Sequence, residues 1–178
     1  DETAGICQIL EAFAFDDSYM FYLRVHPHMK GLSVSRISQL RDISELASSY
    51  HNARVIWPAD PVDSYALVDA CDVVVTFGSR IGIEAAYWGK PSILAGCAHY
   101  EHLDCVYVPK THEEVVNLIR EDGLSALPSE SALKYGLHQM RNGVPFEYFR
   151  PIGRSGGLFE GIRIRPFILC RSLVKGIR

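Results

Sequence analysis

Apolar positions along this chain switch between a repeat of three or four residues and short unbroken runs rich in β-branched side chains, which predicts helices alternating with buried strands. Residues 3–15 place Ile6, Ile9, Leu10 and Phe13 at helical spacing, and 19–25 read as a strand ending at His26, Pro27 and His28. Residues 34–50 are again helical, with Ile37, Leu40, Ile43, Leu46 and Ala47 on one face. A short strand at 54–57 runs into a loop set by Pro58 and Pro61, and Asp63 opens a brief helix through Ala70. A strand at 105–108 stops at Pro109, and 111–120 form a helix whose Thr111 and Glu114 make a capping box. One more amphipathic helix covers 129–140, followed by an aromatic segment at 143–149.

The densest signal lies at residues 72–95, which read as strand, glycine-bearing turn, helix and second strand. Three consecutive valines, 73–75, suit a strand of a parallel sheet buried on both faces. Phe77, Gly78 and Ser79 break that strand, and Ser79 is the expected N-cap of a helix over 80–88 that stops at Gly89 and Pro91. Residues 92–95 supply a parallel neighbour. With four or five strands separated by helices between residues 19 and 120, the expected fold is α/β: a doubly wound parallel sheet with helices on both faces and right-handed crossovers. Helix starts at the carboxyl ends of such strands attract anions.

Composition narrows the class. The 178 residues are 48% apolar and 22% charged, ordinary for a globular protein, and a net charge of -3 gives no general attraction to nucleic acid. From residue 151 on, six basic residues face Glu160 alone, a formal +5 that leaves -8 on the rest. Apolar residues are interspersed among those arginines, so 151–178 is expected to be a basic amphipathic tail distinct from a domain over 1–150, able to meet an anionic membrane surface or to pack on protein. Five scattered cysteines without a CxxC pair argue for reduced thiols, hence a cytoplasmic setting, at most at the inner face of the membrane. The chain opens on a helical pattern without methionine, as a piece of a longer protein would.

Ser79 and Arg80 place a hydroxyl and a guanidinium at a helix start, suited to a diphosphate; the plain alternative is a cap beside a solvated arginine. Glu84, one turn on, is positioned to take the hydroxyl pair of a ribose, or to pair with Arg80. Gly82 within the first turn implies close approach of a ligand or of another backbone. His26, at the end of the first strand, is a candidate for phosphate contact or proton transfer, or a simple strand-end cap. Cys97, His99, His102 and Cys105 lack the spacing of familiar zinc sites, so no metal is expected. That loop is instead expected to be a flexible cover of the crevice, with Tyr100 free to pack on a base or sugar. Trp57 and Pro58 are a further candidate base wall.

The run VDSYALVDACDVVVTFGSRIGIEAAYWGKPSILAG, preceded by LRVHPH and followed by the Tyr100 loop, resembles the C-terminal, nucleotide-sugar-binding half of GT-B glycosyltransferases. The closest likeness is to enzymes that build bacterial capsule and other surface polysaccharides, and KYGLHQMRNGVPFEYF is similar to the tail that follows this half. The resemblance covers about residues 1–150. It implies a Rossmann-like donor lobe with a nucleotide-sugar as substrate and no separate cofactor. Gly78, Ser79, Arg80, Gly82, Glu84 and Tyr100 would then line the donor site, with Ser79 and Arg80 on phosphate, Glu84 on ribose, and His26 at the departing nucleotide. The glycan or lipid-linked acceptor and the general base would belong to an N-terminal lobe, so the chain alone is expected to bind nucleotide without turnover. UDP-N-acetylhexosamine epimerases share the fold but usually carry a double glycine where Arg80 and Ile81 stand. Polyol-phosphate transferases, which also use an HP motif, stay open, as does a non-catalytic membrane-associated partner.

Overall fold

The structure, a computed structural model, describes residues 2–29, 38–143, 147–152 and 156–164. It divides into two compact units, Asp1–Gln139 and Met140–Arg178. The first is α/β. Its helices are α1 (Glu2–Ala12), α2 (Ser38–Ser48), α3 (Ser64–Ala70), α4 (Ile81–Tyr87), α5 (His112–Arg120) and α6 (Glu130–Arg141), the last running two residues past the division. Its strands are β1 (Phe21–Arg24), β2 (Ala53–Ile56), β3 (Val74–Thr76) and β4 (Ser92–Leu94).

The strands pair in parallel as β1 with β2, where Phe21 faces Ala53, and as β3 with β4, where Val74 faces Ser92. The single continuous sheet expected from the alternation is therefore not what the hydrogen bonds describe: among the described residues there are two parallel pairs. Strands of three or four residues leave few ladder positions, and side-chain packing bridges the pairs instead. Residues 105–108, expected as a strand, make only a bridge to β4, in which Tyr107 donates to Ser92 O and Leu94 donates to Tyr107 O, both at 2.8 Å.

Alternation along β4 shows how the layers are built. Ile93 packs with Ile9 of α1, with Phe13 just beyond that helix, and with Val115, Val116 and Ile119 of α5. Its neighbour Leu94 points the other way, against Ile83 and Ala86 of α4, Val106 and Ala132 of α6. Successive strand residues face opposite sides, so this pair carries helices on both faces. Phe21 of β1 joins the Ile93 cluster, and Leu23, Val55 and Ala53 receive Leu10 of α1 and Leu46 and Ala47 of α2. Full burial of a side chain such as Ile93 contributes about 2 kcal/mol, more than a typical surface hydrogen bond.

The helix boundaries follow local chemistry. Asp63 caps α3, its Oδ1 accepting from the amides of Tyr65 and Ala66 at 2.9 Å. Thr111 caps α5 by accepting from Glu114 N at 3.2 Å, while the Glu114 carboxylate reaches back one residue further than a standard capping box, to Lys110 N. No described helix is long and apolar enough to cross a membrane.

The second unit corrects the reading of the tail. Where a basic amphipathic tail was expected from 151, β5 (Phe149–Ile152), β6 (Gly156–Phe159) and β7 (Ile162–Ile164) form an antiparallel meander. Glu160 and Gly161, at φ 47° and 82°, make the two-residue turn between β6 and β7. Positive φ at both turn positions matches the twist of a hairpin. Pro151 is tolerated because β5 is an edge strand. The rest of the expected tail, 165–178, lies outside the described residues, as do 30–37, where the helix expected from 34 would begin.

Candidate functional site

The site grows from the carboxyl end of β3. Thr76 is buried, Phe77 is half-buried, and Gly78, Ser79 and Arg80 emerge into solvent before α4 begins. The helix start is displaced by one residue from the expected cap. Arg80 occupies the cap position without a side-chain cap bond, and Ser79 Oγ accepts from Ile81 N at 3.3 Å. Ser79 O accepts from Gly82 N at 3.2 Å, so part of the amide supply at this turn is spent internally. What stays outward is the Ser79 hydroxyl and the Arg80 guanidinium.

Glu84 is half-buried on α4, and the hydroxyl of Tyr65 donates to its Oε2 at 3.1 Å. That hydrogen bond, with the carboxylate's charge, pushes the Tyr65 phenol up from its ordinary value, while Arg80 nearby pulls it the other way. Tyr65, Glu84 and Arg80 thus form one electrostatic group. Tyr65 and its α3 are held in turn by Arg24 at the end of β1. Its guanidinium donates to Trp57 O at 2.6 Å, to Val62 O at 3.2 Å and to Ser64 Oγ at 3.4 Å. Through Arg24, Ser64, Tyr65 and Glu84 the carboxyl end of the β1–β2 pair is joined to the helix that follows β3. The sequence reading missed both Arg24 and the Tyr65 hydroxyl. An arginine as the last residue of a strand, preceding a proline-rich loop, was the available signal for the first.

Two candidates sit differently from expectation. Tyr100 does not lie on an open cover: it is 1% exposed, and its hydroxyl donates to Ser79 O at 2.5 Å with Thr76 Oγ1 at 3.4 Å. The ring packs against Tyr135 and the Leu94 side of the core, because a phenol whose hydroxyl finds hydrogen-bond partners inside can bury its ring without losing them. Gly82 is buried, and a Cβ there would fall 2.6 Å from the Tyr100 hydroxyl, 2.8 Å from Thr76 Oγ1 and 3.3 Å from Ser92 Oγ. Its missing side chain serves helix-to-strand packing, not approach of a ligand. Close backbone approach occurs next door, where a Cβ on Gly96 would meet Phe77 O at 2.1 Å.

His26 is exposed just beyond β1, its carbonyl accepting from Met29 N at 2.9 Å in a 3-10 turn over Pro27–Met29. In the cysteine and histidine loop, Cys105 is buried and Cys97 exposed, and no group of three potential metal ligands comes together among the described residues. Internal bonds tie that loop, with Ala98 N donating to Glu101 Oε2 at 3.2 Å and Leu103 N to Tyr100 O at 3.1 Å. Trp57 is half-buried, its amide donating to Asp60 Oδ2 at 2.7 Å. A cleft of about 570 Å³ opens on the opposite side of the β3–β4 pair, between the starts of α1 and α5. It shares Phe77, Ala95 and Gly96 with the strand-end turns that carry Ser79 and Tyr100.

Compared with known proteins, residues 1–104 match the family model described as capsule polysaccharide biosynthesis protein, a span that holds more than half of the chain and every candidate site residue. No curated protein and no solved structure matches.

Proposed function

Since this chain belongs to the capsule polysaccharide biosynthesis protein family, we propose that its first unit is the donor-binding lobe of a glycosyltransferase of the GT-B type. The role in surface polysaccharide synthesis comes with the family; the donor site is our reading of the residues. The observation that carries it is Glu84, held by the Tyr65 hydroxyl one turn beyond the exposed Ser79 and Arg80. A buttressed carboxylate is a fixed acceptor for the vicinal hydroxyls of a ribose. A guanidinium and a hydroxyl beside it suit the oxygens of the diphosphate or phosphodiester.

In the proposed reaction the bond between the anomeric carbon and the donor phosphate breaks, and negative charge builds on the departing nucleotide. Arg80 is proposed to meet that charge with its guanidinium, which would favour the transition state over the ground state. His26 is proposed to contact the same phosphate from the end of β1. The acceptor hydroxyl and the base that deprotonates it are assigned to a partner lobe, so nucleotide binding and not turnover is the activity proposed for the 178 residues. In this reading the two parallel pairs together are the doubly wound, Rossmann-like layer of that lobe.

Calorimetric titration with CMP, CDP, UDP, GDP and dTDP tests the site. One of these should bind the wild type selectively. The Ser79→Ala, Glu84→Ala double variant should bind it at least about tenfold more weakly, as loss of charged hydrogen bonds of about 1.5–3 kcal/mol implies. Unchanged affinity in a folded double variant rejects the site.

A further inference from the structure

Three large aromatic side chains stand exposed beside the candidate site: Tyr65 at 51%, Tyr87 at 53% and Trp88 at 65%. Tyr65 and Trp88 approach with ring centroids 6.5 Å apart, and the Tyr87 ring meets Trp88 edge-on at 6.2 Å. Their placement along α4 is ordered. Arg80, Glu84 and Trp88 recur every four residues and so form one stripe, each step about 6 Å along the axis. The opposite face, Gly82, Ile83, Ala85 and Ala86, is buried. Tyr65 reaches across from α3 to the middle of the stripe through its bond to Glu84.

Along the stripe the chemistry runs from cation, through hydrogen-bond acceptor, to aromatic rings. A nucleotide presents the complementary series in the same order: phosphate anion, hydroxyl-bearing pentose, planar heterocycle. The geometry points to Tyr65 and Trp88 as the wall on which the base of the donor nucleotide stacks, immediately beyond the glutamate that takes its ribose. This inference rests on the donor-binding reading and adds to it the residues that grip the base. Because Tyr65 already engages Oε2, the ribose hydroxyls are left Oε1 of Glu84. Stacking accepts any base, having only a π-face to recognise, so this wall supplies affinity and leaves the choice of base to the loop that Arg24 anchors.

The chain has two tryptophans, so the emission that Trp88→Phe removes from the wild type is that of Trp88. In the full chain, the nucleotide selected by calorimetry should quench that emission, whereas pyrophosphate and ribose 5-phosphate should not. Trp88→Ala and Tyr65→Ala should each weaken that nucleotide about tenfold, roughly 1.4 kcal/mol, while leaving pyrophosphate affinity unchanged. Tyr65→Phe, which keeps the ring, should lose less than Tyr65→Ala. Circular dichroism confirms that each variant is folded. Unaltered nucleotide affinity in Trp88→Ala and Tyr65→Ala, with affinity lost in the Ser79→Ala, Glu84→Ala pair, rejects the wall and leaves the donor site standing. A wild type that binds no nucleotide rejects both. A dimer that Trp88→Ala converts to monomer assigns the rings to a second copy of the chain and likewise overturns the inference.

Discussion

At the scale of single residues, Tyr100 shows how one hydroxyl can support a site it does not line. Its oxygen satisfies the Ser79 carbonyl, and Gly82 leaves the space it needs. Replacing it with phenylalanine keeps the ring but leaves the part-buried Ser79 carbonyl with only the longer bond from Gly82 N, so Tyr100→Phe should cost about 0.5–1.5 kcal/mol in urea unfolding. Burial pushes the Tyr100 phenol above its ordinary value of 10.0, with a smaller opposing pull from Thr76. A tyrosine raised in this way contributes stability that is fully present below pH 10.0 and is lost as pH climbs through the folded-state value. Wild-type stability should therefore fall on the alkaline side, and the fall should be shallower in Tyr100→Phe, though not absent, because Tyr50 and Tyr65 are also raised. Unfolding midpoints measured in steps from about pH 8 to about pH 11 check both slopes. The exposure of Ser79 and Arg80 at a strand-to-helix turn was legible from residue order, since a broken valine run ahead of a helical stretch has few other readings. The burial of Tyr100 was not, because a tyrosine in a loop looks the same in sequence whether its hydroxyl finds water or a carbonyl.

At the scale of elements, the GKP sequence after α4 acts on a different helix from the one it ends. Gly89 takes the left-handed conformation at φ 74° that stops α4, and Lys90 then extends its ammonium to Asp69 O and Cys71 O at the end of α3. A cation on those last carbonyls complements the helix dipole and joins α3 to α4, the two helices that carry Tyr65 and Glu84. Lys90→Met should lower the urea midpoint by an amount equivalent to about 1–2 kcal/mol, with an unchanged slope. Helices were the best-read elements, because 3.6-residue periodicity and side-chain caps are local: Asp63 and Thr111 cap as their positions predict. The β5–β7 meander was missed because its turn is marked by Glu160 and Gly161, a weaker signal than asparagine or aspartate with glycine.

At the scale of the whole molecule, every residue of the three core clusters falls between Ile6 and Tyr135. A chain ending at Arg141 keeps all of them together with the whole of α6, and its size is ample for an independent core. Residues 1–141 should thus unfold cooperatively on heating and bind the same nucleotide with the affinity of the full chain. A non-cooperative melt would show that the first unit depends on residues 142–178 for its stability. The division falls at Gln139, earlier than residue 150, where the change in composition suggested it. Charge and glycine content mark a change of character, whereas compactness depends on which side chains share a core.

Residue order alone determined the helices and the strands β1 to β4 of the first unit, the Asp63 and Thr111 caps, and the turn from which Ser79 and Arg80 project, because hydrogen bonding and periodicity within a few neighbours suffice for them. It also carried the likeness that the family match bears out as capsule polysaccharide biosynthesis. Tertiary structure alone decided that Tyr65 meets Glu84, that Arg24 ties down the loop before α3, that Tyr100 turns inward, and that the parallel strands hydrogen-bond as two pairs. Each of these joins residues far apart in the chain, and a contact of that kind exists only once packing has chosen which surfaces exclude water.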